Sequence, residues 1–208
     1  MDIVKFKKMP VMGILRGTPI DLIEPLVETV ISAGLTTIEI AMNTKDADKV
    51  IRKAVKAARG RLMIGAGTVL DLELLKRSLD SGATFIVTPV LIDEVMDYCE
   101  KNVIPVFPGA LTPTEIYRAW SAGATMVKVF PAGFFGPSYF NELKGPFNNI
   151  GLMACGGVTA GNVKSYFAGG ASAVAFGSSI FKKDWLDKKY LRKIARSVRK
   201  LVTEAAKR

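Results

Sequence analysis

The stretch Ser121–Pro131, SAGATMVKVFP, decides the fold. It joins a helix end, a glycine that can cap the helix, and a short apolar strand at 126–131. Similar small-residue segments stand at 32–35, 81–83 and 169–171, roughly 40–50 residues apart as in a repeating architecture, each just before a predicted strand. This repeating unit predicts parallel strands joined by right-handed crossover helices.

On both sides of this stretch, the sequence predicts eight apolar strands that alternate with eight helices. The strands are predicted at 11–16, 36–41, 62–68, 85–88, 104–107, 126–131, 150–155 and 173–176. Residues 1–10 are interpreted as a basic lead-in, and the last helix is predicted as one element over roughly Trp185–Ala206. We predict an α/β fold, a single-domain (β/α)8 TIM barrel over residues 1–208, near the lower size limit for that fold. A doubly wound open sheet is the alternative, but no G-x-G-x-x-G follows the first strand.

The composition limits the kinds of catalytic site, metal site and cellular location that this protein can have. The sequence has no histidine, which excludes Ser-His-Asp and Cys-His catalysis and all histidine-based metal sites. Its two cysteines do not form a disulfide framework, and no signal peptide or membrane-spanning run is present, so we expect a cytoplasmic protein without a membrane partner. The net charge of +10 suits an anionic ligand. Basic and aromatic residues do not interleave, so we predict no nucleic-acid partner; salt-dependent binding to DNA would favour that alternative.

Lys128 stands in the middle of an apolar strand. Strand alternation places it on one face with Met126 and Phe130, and places Val127 and Val129 on the other face. Removing an unpaired ammonium from water costs several kcal/mol, so such a lysine either finds a carboxylate or loses its proton. An unprotonated lysine is a nucleophile that forms a Schiff base with a carbonyl. The alternative is a lysine at the strand edge whose amine reaches water.

Two more charged residues share the predicted barrel interior. Ile38 and Ile40 face the outer helices, so Glu39 points inward, and Arg16 shares a face with Met12 and Ile14. Lys128, Glu39 and Arg16 would then meet near one mouth of the barrel, where catalytic groups of such barrels lie. A structural ion-pair network is the alternative interpretation.

Three glycine-containing turns follow predicted strands. Gly65–Thr68 suits close approach of the backbone to a ligand, and the Thr68 hydroxyl can bind one. Gly156-Gly157 and Gly177-Ser178-Ser179 follow the seventh and eighth strands, where barrels commonly bind phosphate. We therefore predict a phosphate-binding site at these last two turns.

These motifs, in this order and spacing, resemble those of a known family. The matching segments are 14–16 (ILR), 38–40 (IEI), 65–69 (GAGTV), 87–89 (VTP), 108–109 (PG), 128–131 (KVFP), 156–158 (GGV) and 177–178 (GS). Over nearly its whole length the chain is similar to the class I 2-keto-3-deoxy-6-phosphogluconate (KDPG) / 4-hydroxy-2-oxoglutarate (KHG) aldolases. The resemblance implies a homotrimeric lyase of Entner–Doudoroff carbohydrate metabolism that needs no metal or other cofactor.

The resemblance also implies residue roles and substrates. Lys128 would form the Schiff base and Glu39 would shuttle protons. Binding residues would be Arg16 and Thr68 for anionic groups, Pro89 and Phe130 as walls of the pyruvyl pocket, and Gly156, Gly157, Gly177 and Ser178 for the distal phosphate. The substrate would be a phosphorylated 2-keto acid: KDPG, giving pyruvate and glyceraldehyde 3-phosphate, and/or KHG, giving pyruvate and glyoxylate.

The sequence departs from the common family pattern at two places. Asn43 stands where the family often has an arginine that binds a carboxylate, and Ala154-Cys155 replaces Pro-Thr before the double glycine. Glu39 with Asn43 also resembles the 2-dehydro-3-deoxy-6-phosphogalactonate aldolases, an alternative that differs in one hydroxyl. A non-catalytic sugar-phosphate-binding barrel is a further possibility. A ribulose-phosphate epimerase would share the phosphate loops, although its metal-binding histidines are absent from this sequence.

Overall fold

Nine short strands form one parallel sheet in the computed structural model, which describes all 208 residues. The strands are β1 Val11–Leu15, β2 Thr37–Ala41, β3 Met63–Gly67, β4 Ile86–Val87, β5 Val106–Phe107, β6 Gly109–Ala110, β7 Val127–Val129, β8 Leu152–Cys155 and β9 Ala173–Phe176. They end before the polar residues that follow them, so Arg16 and Thr68 lie in loops beyond the strands.

The sheet closes on itself at Pro108. The strands are ordered β5-β4-β3-β2-β1-β9-β8-β7-β6, and β5 and β6 at its two edges are separated in sequence by Pro108 alone. β5 pairs with β4 and β6 pairs with β7, while the carbonyl of Pro108 itself accepts a hydrogen bond from the Lys128 amide. Val106–Ala110 is therefore one barrel strand in two halves, and the predicted eight-stranded α/β barrel is confirmed.

Helices cover the outside of the barrel. They are α1 Ile3–Lys8, α2 Ile23–Ser32, α3 Ala47–Ala58, α4 Leu72–Asp80, α5 Asp93–Lys101, α6 Pro113–Ser121, α7 Gly136–Lys144, α8 Val163–Ala168, α9 Lys183–Asp187 and α10 Leu191–Ala205, with a 3-10 turn at Ala132–Phe134. No helix has the length and hydropathy needed to cross a membrane.

Strand alternation divides the core into two parts. Ile38, Ile40, Val127 and Val129 belong to the large outer core between sheet and helices. A smaller cluster fills the barrel interior: Phe6, Met12, Phe85, Val87, Phe107, Met126, Met153, Cys155, Ala173 and Ala175. The predicted inward side of each charged strand is thus the inward side in the structure.

The N-terminal segment differs from the predicted lead-in. Residues 3–8 form α1, and the Asp2 carboxylate caps it by accepting a hydrogen bond from the Lys5 amide. Phe6 is fully buried and meets Phe107 edge-on, with ring centroids 5.9 Å apart. The barrel is therefore plugged at its N-terminal end by one aromatic side chain.

The prediction of a single C-terminal helix is wrong. The chain turns between α9 and α10, where Lys189 adopts the left-handed conformation with φ 53°. Leu186 before the turn and Ile194 after it are both buried. The break lets each helix dock its own apolar residue, whereas sequence periodicity runs through both segments without marking the turn.

Candidate active site

The carboxyl ends of the parallel strands gather the predicted charged residues at one mouth of the barrel. Lys128 is the middle residue of β7, Glu39 is the middle residue of β2, and Arg16 directly follows β1. In the sheet, Glu39 lies between Ile14 of β1 and Gly65 of β3. Lys128 and Glu39 are only 7% and 2% exposed, so the interior holds two ionisable groups nearly removed from water.

The Glu39 carboxyl has no direct partner. Its Oε2 atom is buried and makes no hydrogen bond. Burial raises the pKa of Glu39, and the positive charges at Lys128 and Arg16 offset this effect only in part. Glu39 therefore keeps its proton to a higher pH than an ordinary glutamate does. It also lies close enough to Lys128 for the lysine charge to influence its pKa.

Lys128 is also unpaired. Its Nζ lies 5.4 Å from the ring centroid of Phe130. None of the eight ion pairs in the protein includes Lys128, Glu39 or Arg16, so a structural ion-pair network does not explain these charges. The low exposure of Lys128 also rules out a lysine that simply reaches into water.

The turn at Gly65–Thr68 is shaped by two side chains of the barrel itself. A Cβ atom at Gly65 would overlap the Phe85 ring, and one at Gly67 would overlap Oε1 of Glu39. Gly67 thus provides the space in which the Glu39 carboxyl sits. The sequence predicted the need for glycine here but assigned it to ligand approach, because these packing neighbours are distant in sequence.

Arg16 and Thr68 meet above Glu39. The Arg16 Nη2 atom donates to the Thr68 hydroxyl at 3.5 Å, and Thr68 has a left-handed backbone with φ 57°. Because β1 and β3 flank β2, this contact spans the carboxyl end of the strand that carries Glu39. The guanidinium and the hydroxyl together offer hydrogen-bond donors for an anion at the mouth.

Pro89 and Phe130 line a groove of about 290 Å³, which Lys128 approaches only through the Phe130 ring, 5.4 Å from its Nζ atom. Gly109 borders this groove, and a Cβ atom there would overlap the Pro89 carbonyl. Phe130 remains 44% exposed. The two predicted wall residues therefore do share one cavity, and it opens to solvent.

The two predicted phosphate loops are joined by a hydrogen bond. Ser179 Oγ donates to the Val158 carbonyl at 2.8 Å, which connects the turn after β9 to the turn after β8. Gly156 and Gly157 both adopt positive φ, 95° and 76°, and Gly157 packs against Gly133. Ser178 is exposed and Gly177 is half-buried, so their polar groups face the open side. The two turns that hold these four residues therefore lie next to each other.

Comparison with known proteins is decisive. The family model described as KDPG and KHG aldolase matches residues 3–197. This chain belongs to the KDPG and KHG aldolase family. Membership makes it a carbon–carbon lyase of the class I type.

Individual aldolases agree with this membership. The chain is 35% identical over 176 residues to the 2-dehydro-3-deoxy-6-phosphogalactonate aldolase of Escherichia coli (strain K12), across 84% of this chain and 86% of the relative. A solved structure described as native KDPGal has a TM-score of 0.88 and 32% identity, covering 95% of this chain and 94% of that chain. A designed cube-shaped, highly porous protein cage, made by fusing symmetric oligomeric domains, matches with the same TM-score and identity, over 95% of this chain and 72% of that chain.

Cys155 is the site residue that sequence reasoning did not assign. It ends β8 in the barrel interior of this aldolase, 3% exposed. Burial raises its pKa to about 11, and Lys128, Glu39 and Arg16 all influence that pKa. Cys155 therefore adds a neutral thiol to the charged group. The sequence signal that could have identified it is strand alternation, which places Cys155 on the same inward face as Met153.

Asn43 lies at the carboxyl end of β2, at the same mouth of the barrel. It follows Met42 in the turn after β2 and is exposed. Its amide can donate hydrogen bonds but adds no charge, so Arg16 is the guanidinium that the structure places near Glu39.

Proposed function

We propose that Lys128 forms a Schiff base with the ketone of a phosphorylated 2-keto-3-deoxy sugar acid and that Glu39 moves the protons. The supporting observation is that an unpaired lysine and an unpaired glutamate, both less than a tenth exposed, enter the barrel interior from separate strands. Neither residue is held by a structural partner. Both are therefore available to a substrate.

The chemistry balances with these two side chains. The Lys128 amine adds to the ketone carbon, and loss of water gives a protonated imine. Glu39 takes the proton of the C4 hydroxyl as the C3–C4 bond breaks, its electrons move into the iminium to form an enamine, and the aldehyde leaves. Glu39 returns the proton to the enamine carbon, and water hydrolyses the imine to release pyruvate. The raised pKa of Glu39 suits a carboxyl that accepts and returns a proton.

The remaining site residues would hold the anionic ends of the substrate. Arg16 and Thr68 already touch one another above Glu39, which suits a carboxylate, with Asn43 as a further donor. Pro89 and Phe130 would wall the pyruvyl group. The open side formed by Gly156, Gly157, Gly177 and Ser178 suits the distal phosphate, because its backbone N–H groups lie at strand ends.

The proposed substrates are KDPG, split into pyruvate and glyceraldehyde 3-phosphate, and KHG, split into pyruvate and glyoxylate. A second candidate is 2-dehydro-3-deoxy-6-phosphogalactonate. It is favoured by the 35% identical Escherichia coli relative and by Asn43 at the position of the usual arginine. A pyruvate-release assay comparing the three compounds decides between them, because the epimers differ only in contacts to one hydroxyl.

Borohydride trapping tests the Schiff base. Incubation with pyruvate and borohydride should add a reduced pyruvyl group, and peptide mass spectrometry should locate it on Lys128. Lys144 provides the control, because burial lowers its pKa although it lies outside the barrel mouth. Lys144→Arg should label normally. Absence of label, or label at Lys144, would contradict the proposed chemistry, and a folded protein without turnover would be a non-catalytic sugar-phosphate-binding barrel.

We further propose that the aldolase is a homotrimer working in the cytoplasm. Self-association is supported by the matching cage, which is described as built from symmetric oligomeric domains. Both cysteines are buried free thiols, which fits a reducing compartment.

A further inference from the structure

A polar pocket lies at the carboxyl ends of β1 and β2, between the turns that follow these two strands. Residues 17–20 and 44–46 line it, and its volume of about 360 Å³ falls within the range of small-molecule sites. Arg16 and Asn43 immediately precede the two lining segments. The pocket shares no residue with the groove that Pro89 and Phe130 line, so it is a second cavity.

The Thr18 side chain in this pocket has no hydrogen-bond partner. Thr18 is only 2% exposed, and its Oγ1 atom is buried and makes no hydrogen bond. The other lining threonine differs, because the Thr44 hydroxyl accepts a hydrogen bond from the Gly17 amide at 3.0 Å and so joins the two turns. Buried polar atoms are nearly always hydrogen-bonded, so the unpaired Thr18 hydroxyl indicates that a ligand supplies its partner.

The charges that line the pocket favour an anion. Lys45 takes part in none of the ion pairs of the protein. The Asp46 carboxylate also lines the pocket, but the Lys49 Nζ atom lies 2.9 Å from it, and this hydrogen bond lowers the pKa of Asp46. The charges of Asp46 and Lys49 therefore offset one another, and the charge of Lys45 remains. A single carboxylate that is already paired does not suit a metal cation, which prefers several oxygen ligands.

The start of α3 adds backbone donors to this lysine. Asp46 occupies the position before the helix with a left-handed backbone, φ 53°, and no side chain caps the first turn. The amides of residues 45, 46, 48 and 49 donate to no acceptor in the protein. Because α3 has 12 residues, its aligned peptide dipoles place partial positive charge at this end. Unpaired amides at a helix start are suited to the oxygens of a phosphate group.

We propose that this pocket binds a phosphate group, carried by inorganic phosphate or by a small phosphate monoester, separately from the sugar-acid substrate. Lys45 supplies the charge, the amides at the start of α3 donate to the phosphate oxygens, and the Thr18 hydroxyl donates a further hydrogen bond. The ligand lies next to Arg16 and Asn43, whereas the proposed site for the substrate phosphate is at the turns after β8 and β9. Binding here requires neither Lys128 nor Glu39.

Calorimetric titration without a 2-keto acid tests the site, with inorganic phosphate and glycerol 3-phosphate as probes. A Ser178→Asp background places a carboxylate at the other proposed phosphate site and so leaves this pocket to be measured. Lys45→Gln should weaken binding by about tenfold or more, because it removes the uncompensated charge. Lys56→Gln is the matched control, since it removes the same charge from an exposed position in the last turn of α3.

The titrations also distinguish the two sources of the phosphate group. Equal affinity for both probes would show that the phosphate group alone is recognised, and tighter binding of glycerol 3-phosphate would show that the ligand is a monoester. Absence of binding would overturn the proposal. Equal weakening by Lys45→Gln and Lys56→Gln would do the same, because it would show only a general attraction of anions to a basic protein.

Thr18→Val tests the unpaired hydroxyl. It should weaken phosphate binding by roughly fivefold, because one hydrogen bond to the ligand is lost. It should not lower the thermal midpoint measured without phosphate, since the hydroxyl has no partner in the protein. Thr18→Ser, which keeps the hydroxyl, should bind phosphate as wild type does. A lower thermal midpoint with unchanged phosphate binding would show a structural role for Thr18 and contradict the proposed site.

Substrate kinetics separate this site from the proposed function. In phosphate-free buffer, Lys45→Gln should leave the KM values for KDPG and KHG unchanged. A higher KM for KDPG alone would place the phosphate of the substrate in this pocket and refute a separate ligand. If Lys128 is never labelled by pyruvate and borohydride while phosphate binding still responds to Lys45→Gln and Thr18→Val, the Schiff-base proposal fails and the phosphate site stands.

Discussion

Glu39 and Glu204 show that two glutamate side chains have opposite electrostatic environments in this protein. Glu204, on α10, forms ion pairs with Lys164 at 2.9 Å and with Lys207 at 2.7 Å, and these hydrogen bonds lower its pKa to about 2. Glu39 has no direct partner, and burial raises its pKa. Two lysines on the outside of the protein thus stabilise the charged form of Glu204, whereas the Glu39 carboxyl in the barrel interior has no ion-pair partner.

The same contrast holds for the lysines. From Lys182 to the C-terminus the chain has 11 lysines and arginines against three acidic residues, which accounts for +8 of the net +10. These cations lie in water, several of them beside acidic or aromatic neighbours, as Lys193 lies 4.2 Å from the centroid of the Tyr190 ring. Lys128 alone is buried in a strand without a carboxylate partner. An unsatisfied charge inside a fold therefore marks chemistry better than a dense charge outside it.

Lys128→Met is expected to have the largest effect, because it removes the unpaired charge from the barrel interior. It should lower kcat/KM by on the order of 10³-fold or more, because the covalent step loses its nucleophile. It should also stabilise the fold by about 1–2 kcal/mol, because a buried polar group with no partner becomes apolar. Activity assays and denaturant unfolding measure the two effects. A large loss of stability would mean that the lysine has a structural role.

Glu39→Gln should lower kcat by roughly 10²–10⁴-fold while the protein stays folded. Its effect on stability depends on pH with a defined sign. A carboxyl with a raised folded-state pKa favours folding when protonated, so wild-type stability falls as pH rises above the ordinary glutamate range, near about 4.3. The variant lacks this loss, so its free energy of unfolding should gain on wild type between acid and neutral pH. A constant difference across that range would contradict the burial of an ionisable Glu39.

Gly67→Ala tests the position of the Glu39 carboxyl without changing any charge. Its Cβ would occupy the space of Oε1 of Glu39 and displace the carboxyl, so kcat should fall by roughly 10–100-fold. Gly161→Ala is the matched control, since the Cβ there makes only an ordinary contact with Thr159. Steady-state kinetics on the two variants compares them, and equal rates would mean that the carboxyl position is not critical.

Glu204→Gln should have the smallest effect. Activity should not change, and the thermal midpoint at neutral pH should fall by about 1–2 °C because the ion pairs are exposed. A carboxyl with a lowered folded-state pKa stabilises the fold above its unfolded pKa, so the difference should disappear as pH falls toward about 2. This trend is opposite to that of Glu39→Gln, and thermal scans at several pH values detect it.

Local rules predicted the part of the site that depends on strand parity. Glu39, Arg16 and Lys128 were placed inward because strand residues alternate, and Glu39 and Lys128 are buried inside the barrel, whereas Arg16 is exposed in the loop that follows β1. The order of strands and helices likewise predicted the barrel. The same alternation applies to Cys155, but the sequence analysis did not assign this residue because a thiol carries no charge to draw attention to it.

Long-range packing set the features that the sequence did not predict. The role of Gly67 depends on the Glu39 side chain, which is 28 residues away in the chain. The plug at Phe6 is one aromatic residue in a basic segment with too little periodicity to predict a buried helix. The turn at Lys189 requires a left-handed residue that no glycine or asparagine marks.

The Phe6 plug has a kinetic consequence. Because the Phe6 side chain fills one end of the barrel interior, the proposed substrate would enter, and its products would leave, through the mouth at the carboxyl ends of the strands. In the proposed reaction the aldehyde is not bound covalently, so it would leave through this mouth before hydrolysis of the imine releases pyruvate.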